Sequence, residues 1–435
     1  MSPEMAGAIG MGVMLLLMFL GVHIAVCLAL VGITGYALIQ GVDRALIMAG
    51  MTPFSVISSY TMALFPVYLL MGEFADISGM MRDSFKAANA WVGNCRGGLA
   101  MASIIGAGLF SAVSGSSVAC SALMTRLSLP SLLEHKYHPK LATGALAAGG
   151  TLGNLVPPGI GLVIYAVMSE TSLGKLFAAV FMPGVLLTLM YMLQIYIQCR
   201  LNPMMGPPGG KTSAKQKVFA VRDAAPTAIL FILVMGGIWF GVYTANEAGA
   251  IGTVGAFLYA LYRRTINGQT LAQAFANTLG IAGMIFAVII SAEIFSNFIV
   301  ISGLSRALVR WVTGLSLPPV GVIICIMVVY FILGTAMDTL TMILITLPFF
   351  VPLMNQLGVD LIWFGTLVIV QMELSQITPP VGLNLFVVAG MVKEKNISMG
   401  TVFSGAWPFC YTMVIFNGLI IAFPRIAMYL PSLMK

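Results

Sequence analysis

In a chain that is otherwise overwhelmingly apolar, two short runs stand out for the oxygen atoms they carry. Ser114-Gly115-Ser116-Ser117 lies midway along an apolar stretch from 97 to 133, and Met337-Asp338-Thr339-Leu340-Thr341 midway along a second from 317 to 356. Gly and Ser allow a helix to unwind and turn, and the carbonyls and hydroxyls so freed can coordinate a dehydrated cation. A Ser-Gly run would equally serve close packing between membrane helices. The second run favours the hairpin-tip reading, because Asp338 puts a carboxylate inside an apolar segment, which is costly unless it has a partner. Both stretches exceed the roughly 20 residues of one crossing. Each is therefore predicted to be a helical hairpin with its polar run at the tip.

A second kind of interruption follows each hairpin. Gly149-Gly150-Thr151-Leu152-Gly153-Asn154-Leu155-Val156-Pro157-Pro158 breaks one span and Glu373-Leu374-Ser375-Gln376-Ile377-Thr378-Pro379-Pro380 breaks another. A double proline removes two backbone donors and pushes the preceding residue out of the α region, so a helix must break there. At membrane depth such backbone is tolerated only inside protein or beside a cavity. The half-helix that resumes presents its N-terminus to the break, which suits a carboxylate substrate. Proline kinks used for packing alone are the bland alternative. The polar residues beside the breaks, Asn154, Thr378 and Asn384, speak for a binding site.

The remaining polar residues are less telling. Glu73, Glu247, Glu293 and Glu373 could relay protons or bind a cation, but an ion pair or a backbone hydrogen bond explains each as well, and none is taken as a substrate ligand. His23, His135 and His138 fall near span ends, and the 31 methionines suit lipid contact and packing. Cys27, Cys95, Cys120, Cys199, Cys325 and Cys410 have no metal-ligand spacing and indicate no disulfide framework. The chain has no P-loop pattern, so uphill movement would be coupled to an ion gradient.

Composition sets the context for these motifs. Of 435 residues, 59% are hydrophobic and 8% charged, against about 25% charged in soluble domains. With a mean hydropathy of +1.00, the chain is expected to be a polytopic, all-α membrane protein. Candidate spans are roughly 7–40, 51–79, 139–169, 175–200, 224–245, 247–264, 270–302, 359–392 and 402–432, besides the two hairpins. The first is too long for a signal-peptide core and is expected to be a retained membrane segment.

The net charge of +7 reports topology and not nucleic-acid binding. Placing the polar connection 200–223, with Arg200, Lys211, Lys215, Lys217 and Arg222, in the cytoplasm fixes every other connection by parity. Arg82, Lys86, Arg96, Arg126, Lys136, Lys140, Arg263, Arg264, Lys393 and Lys395 then also fall inside. Only Arg44, Lys175, Arg306, Arg310, Arg425 and Lys435 fall outside, a bias that a miscounted span would scramble.

The polar runs belong to an internal repeat. A shift of about 222 carries Val156-Pro157-Pro158 onto Thr378-Pro379-Pro380, Ser116-Ser117 onto Asp338-Thr339 and Pro130 onto Pro352. Ile77-Ser78-Gly79 matches Ile301-Ser302-Gly303 at a shift of 224. An odd number of net crossings separates the two copies, so the second is predicted to be inverted. Inverted repeats with interrupted helices at matching positions mark secondary transporters and their binding sites.

These two hairpins, the Ser114–Ser117 tip, Asp338-Thr339 and the paired Pro-Pro breaks resemble the large membrane subunit of tripartite ATP-independent periplasmic (TRAP) transporters, the DctM-like family. The resemblance covers essentially the whole chain, with further matches at 65–82, 246–259 and 390–393. It implies a permease, not an enzyme, of the bacterial inner membrane. Its partners would be a small four-helix, DctQ-like membrane subunit and a soluble DctP-like periplasmic binding protein. It would import organic acids such as C4-dicarboxylates or sialic acids, driven by sodium as the coupling ion and without another cofactor.

The resemblance also implies an elevator mechanism. The transport domain would be 97–170 and 303–392, set against scaffold helices at 1–96, which include an arm, and 171–302, with a C-terminal helix at 393–435. A first sodium site would use Ser114, Gly115, Ser116 and Asn154. A second would use Asp338, Thr339, Thr341 and the Thr378-Pro379 break. Ser116, Ser117, Asn154, Pro157, Pro158, Thr378, Pro379, Pro380 and Asn384 would surround the substrate. The chain departs from the family at His23, where Pro is frequent, which bears on the shape of segment 7–40.

Other readings predict different sequences or dependencies. A stand-alone dicarboxylate or tricarboxylate cation symporter with related hairpins is the alternative, separated by its independence of a binding protein. An intramembrane serine or aspartyl hydrolase would need a base beside Ser116 or a second acid beside Asp338, and neither break contains His or Lys. A structural scaffold would have no use for two costly broken helices.

Overall fold

The computed structural model describes residues 2–209, 213–335 and 337–434, which leaves Lys211 and Lys435 of the basic tally outside. Every regular element among the described residues is a helix. Six helices are individually long and apolar enough to cross a bilayer, or seven if one bent pair counts as a span.

The repeat is visible in how two helices end. α4 (Leu64–Ser78) stops where Gly79 takes φ +80°, and α15 (Gly268–Ser302) where Gly303 takes φ +73°. Gly adopts this left-handed conformation without the Cβ penalty. In each case the preceding serine turns back on its own helix: Ser78 Oγ donates to the Ala75 carbonyl at 2.7 Å, and Ser302 Oγ to that of Ile299 at 2.8 Å. The same hydroxyls accept from the amides of Met80 and Leu304. This shared device swings the chain into amphipathic arms, α5 (Met80–Val92) and α16 (Leu304–Gly314).

The corresponding helices α4 and α15 run antiparallel. Phe65 packs edge-on against Phe286 and Phe74 against Phe275, and Asn277 donates to Glu73 at 3.2 Å. The second repeat is therefore inverted.

Beyond each arm lies a hairpin, α6 (Gly98–Ser114) with α7 (Ser117–Glu134), and α17 (Pro319–Gly334) with α18 (Thr339–Gln356). A discontinuous helix follows each. In the first repeat it is α8 (Pro139–Gly150), the single turn α9 (Leu152–Leu155) and α10 (Ile160–Ser169), and in the second α19 (Leu361–Gln376) and α20 (Leu383–Val392). His138 and Asp360, matched by the repeat, cap these helices from their first turn. Both Pro-Pro peptide bonds, Pro157-Pro158 and Pro379-Pro380, are cis. After its break, each half-helix packs on the other repeat's hairpin, α10 on α18 and α20 on α7.

Four segments differ from the expected spans. Residues 7–40 form not one span but two antiparallel helices, α1 (Pro3–Phe19) and α2 (Ile24–Gln40), reversed at Gly21 with φ +81°. Both line α15: Gly7 faces Ser302 and Gly10 faces Phe298, whereas Gly32 faces Ile294 and Gly35 faces Phe298. The turn, Leu20-Gly21-Val22-His23, is short and has only one polar residue, so a hydropathy average across it stays apolar. It adds one crossing, which brings Glu4 to the side of Arg310, and the two pair at 2.7 Å. No basic residue precedes Arg44, so the charge tally is unchanged.

The span expected at 51–79 begins earlier, as α3 (Val42–Ile57), which meets the following segment Tyr60–Ser78 at a 56° bend. In the basic connection, Gly210–Thr212 lie outside the described residues, and a Ser213–Gln216 capping box starts α12 (Ala214–Phe231) within it. The last span divides into α21 (Met399–Ala422) and a short amphipathic α22 (Arg425–Leu433). Of the other helices, α11 (Leu173–Leu201) and α14 (Ala245–Tyr262) are as expected, and Arg263 at the end of α14 pairs with Asp83 of α5 at 3.0 Å.

Two predictions follow from these contacts. A Cβ on Gly405 of α21 would collide with the Lys140 carbonyl, and one on Gly144 of α8 with that of Gly405, whereas Gly418 faces open space. Gly405→Ala should lower stability by about 1–3 kcal/mol, read as a drop in thermal midpoint in detergent. Gly418→Ala should leave the midpoint in place. An impermeant thiol reagent should label Ser2→Cys and Arg310→Cys in spheroplasts and Lys217→Cys only in inverted vesicles. Labelling of Ser2→Cys with Lys217→Cys would restore the single-span topology.

Candidate functional site

Both hairpin tips and both helix breaks converge on one cavity of about 220 Å³. Gly115, Ser116, Ser117 and Asn154 enter it from the first repeat, and Asp338, Thr339 and Gln376 from the second. Ile281, Met284 and Ile285 of α15 form an apolar wall.

The two tips are built alike. Ser116 is the N-cap of α7, accepting from the Ala119 amide at 3.4 Å. Its counterpart Asp338 caps α18, accepting from Leu340 N at 3.1 Å and Thr341 N at 3.5 Å, while the Thr341 hydroxyl donates to its other oxygen. A carboxylate at a helix N-terminus is favoured by the unpaired amides and the dipole there. Part of the cost of Asp338 in an apolar segment is thus met locally. Gly115 takes φ +63°, and any Cβ there would strike the Pro158 carbonyl. Its own carbonyl accepts from Ile160 N at 3.0 Å, so the tip satisfies the first amide of α10.

Side-chain amides tie each break to its own tip. Asn154 Nδ2 donates to Ser117 Oγ at 3.0 Å and Asn154 Oδ1 accepts from Gly161 N at 3.3 Å. In the second repeat Gln376 Nε2 donates to the Thr339 hydroxyl. Gln376 occupies the position of Asn154 at a shift of 222, a correspondence present in the repeat though not singled out from sequence.

At the cavity, a buried carboxylate of the second repeat reaches across to the first. Glu373 of α19 is fully buried, and its Oε1 accepts from both Ser117 Oγ and Asn154 Nδ2 at 2.7 Å.

The other residues expected at the site stand off the cavity. Pro157, Pro158, Pro379 and Pro380 shape the breaks, and the Thr378 hydroxyl donates back to Leu374 O at 2.7 Å. Thr341 is held by Asp338. Asn384 is fully buried with neither amide atom partnered. Ser114 borders an adjoining cavity of about 170 Å³, which it shares with Glu73 and Asp76 of α4. The α15 wall was not legible in advance, since nothing distinguishes its apolar residues from those facing lipid.

A cavity rimmed by hydroxyl, amide and carboxylate oxygens at the ends of interrupted helices is suited to a dehydrated alkali cation beside a small ligand. A double-mutant cycle on Ser117→Ala and Asn154→Ala should return a coupling of about 0.5–3 kcal/mol. Simple additivity of their thermal effects would show that this contact does not couple tip to break.

The chain matches, over residues 11–426, the family described as "Tripartite ATP-independent periplasmic transporter, DctM component". It is 33% identical, across 87% of its length and 88% of the relative's, to a C4-dicarboxylate TRAP transporter large permease protein from Pseudomonas aeruginosa. It is 29% identical to a sialic acid TRAP transporter large permease protein from Vibrio cholerae, over 87% of each chain. Among solved structures, the YdaH transporter of Alcanivorax borkumensis superposes with a TM-score of 0.67 over 91% of this chain and 90% of its own, at 15% identity, a likeness of fold.

Proposed function

Because the chain belongs to the DctM-component family of tripartite ATP-independent periplasmic transporters, and is thus a permease subunit and not an enzyme, we propose that it imports a small organic acid across the bacterial inner membrane. Sodium is the coupling ion, a periplasmic binding protein delivers the substrate, and a separate small membrane subunit completes the permease. A C4-dicarboxylate or a sialic acid is the substrate class, after relatives that carry those names.

The observation that carries this reading is the meeting of two inverted hairpin tips and two broken helices around a single cavity. Oxygens there suit sodium, and the start of α20 at Gly382, which has no side-chain cap, offers helix amides suited to a carboxylate. The moving body is residues 97–170 and 303–392, sliding as an elevator against the scaffold of 1–96 and 171–302. α21 packs closely on α8 at Gly144 and Gly405 and would travel with that body. The connection 200–223 is cytoplasmic.

Thermal unfolding in sodium against potassium at matched ionic strength tests the coupling ion. A ligand at 100 times its Kd stabilises the folded state by about 2.7 kcal/mol. Sodium should raise the midpoint of the wild type, and Asp338→Asn should lose much of that gain while still inserting. Uptake by proteoliposomes that contain the small subunit and binding protein should fall in Pro157→Ala and Pro379→Ala. Wild-type uptake by both would reduce the breaks to packing kinks.

A further inference from the structure

We propose that Glu373 supplies the negative charge of a monovalent-cation site, Na⁺ or H⁺, that joins the two repeats. The inference rests on the transport reading above and adds a charged ligand which that reading leaves out.

Glu373 lies on α19 before the second break and is 0% exposed. Its Oε1 takes two donors at 2.7 Å, from Ser117 and Asn154 of the other repeat. Its Oε2 has no partner. One turn along the same face, Gln376 Oε1 is also buried without a partner. As placed, the Gln376 amide gives Nε2 to the Thr339 hydroxyl, which leaves Oε1 turned to the interior. Asn154 is fixed likewise, its nitrogen by Glu373 and Ser117 and its oxygen by the Gly161 amide.

With the amide so placed, two lone-pair oxygens remain on one helix face in the protein interior with no donor for either among the described residues. The titratable groups facing Glu373 are Cys120 of α7 and Tyr191 of α11, neither of which carries positive charge. No ion pair reaches it among the described residues. A lone carboxylate at this depth is costly unless a positive charge neutralises it. One negative charge calls for one positive charge, since a divalent ion would leave a net charge of the opposite sign equally buried. The ion would be held by Glu373 Oε2 and Gln376 Oε1.

The placement has a consequence for coupling. Ser117 and Asn154 come from the first repeat, Glu373 and Gln376 from the second, so a bound cation lets the two move as one neutral body. Without it, the bare carboxylate resists passage through the low-dielectric interior. Asp338, at the second tip, is a separate group.

The test is thermal unfolding of the full-length chain, wild type and Glu373→Gln, in sodium against potassium and, without sodium, across a neutral pH series. Glu373→Gln keeps the size of the side chain and an oxygen for Ser117 and Asn154. Sodium as the occupant would show as a sodium response weakened roughly tenfold or more in the variant. A proton would show as wild-type stability that falls with rising pH and a variant that stays flat. This second outcome would uphold the site while removing sodium from the transport reading. A variant that keeps the wild-type response to both ions would overturn the site and leave that reading standing. A wild type that responds to neither would overturn both. Should Glu373→Gln not fold, Gln376→Met decides, a weakened response upholding the site and an undiminished one overturning it.

Discussion

Backbone that is interrupted inside a membrane has no water to bond with, and each unsatisfied group costs several kcal/mol. The centre of this protein is organised around that constraint. Four helix interruptions are brought to one place, where their freed groups are met partly within each interruption and partly across them. The Gly115 carbonyl takes the Ile160 amide, Asn154 takes that of Gly161, and Asp338 takes those of Leu340 and Thr341. None of the four interruptions would be tolerable alone in lipid. Assembled, they leave a small cavity whose rim is polar because its wall is made of helix ends.

Inversion is what brings the ends together. α15 is 35 residues long, about 52 Å at 1.5 Å per residue, and exceeds the bilayer's hydrocarbon thickness of about 30 Å. It runs antiparallel to α4, so the arms α5 and α16 leave from opposite faces and their hairpins reach inward until the tips meet. The same helix lends the cavity its apolar wall at Ile281, Met284 and Ile285. The rim thus belongs to the repeats' interrupted elements and the wall to an uninterrupted one, a division compatible with one body sliding past another.

The symmetry holds in the order of the elements and is relaxed in their details and side chains. Ser116 and Asp338 cap equivalent helices, and Asn154 and Gln376 hold equivalent hydroxyls. Glu373 has no acidic counterpart, for the matching position is Thr151, whose hydroxyl binds Ala148 O and contacts Tyr191. Asp338 against Ser116 and Glu373 against Thr151 place both acids of the centre in the second repeat, which makes it electrically asymmetric while its architecture stays paired.

The sequence by itself determined the membrane class, the hairpins, the paired breaks and the inverted repeat, because each rests on local chemistry. Pro-Pro cannot continue a helix, Ser-Gly-Ser-Ser permits one to turn, and a recurring order of landmarks reports a duplicated fold. It also singled out Gly115, Ser116, Ser117, Asn154, Asp338 and Thr339, six residues that do line the cavity. The split of 7–40 at Gly21 was not legible, since a short reversal between apolar helices leaves the hydropathy average apolar. Nor was the part played by Glu373, one of several isolated acids until the fold placed it against Ser117 and Asn154, more than two hundred residues earlier in the chain. Only the tertiary structure decided which oxygens were already bonded, as in Thr341 and Thr378, and which were left over, as in Glu373 and Gln376. The physical reason is that hydrogen-bond satisfaction depends on neighbours in space, and sequence spacing supplies those only within a helix turn or two.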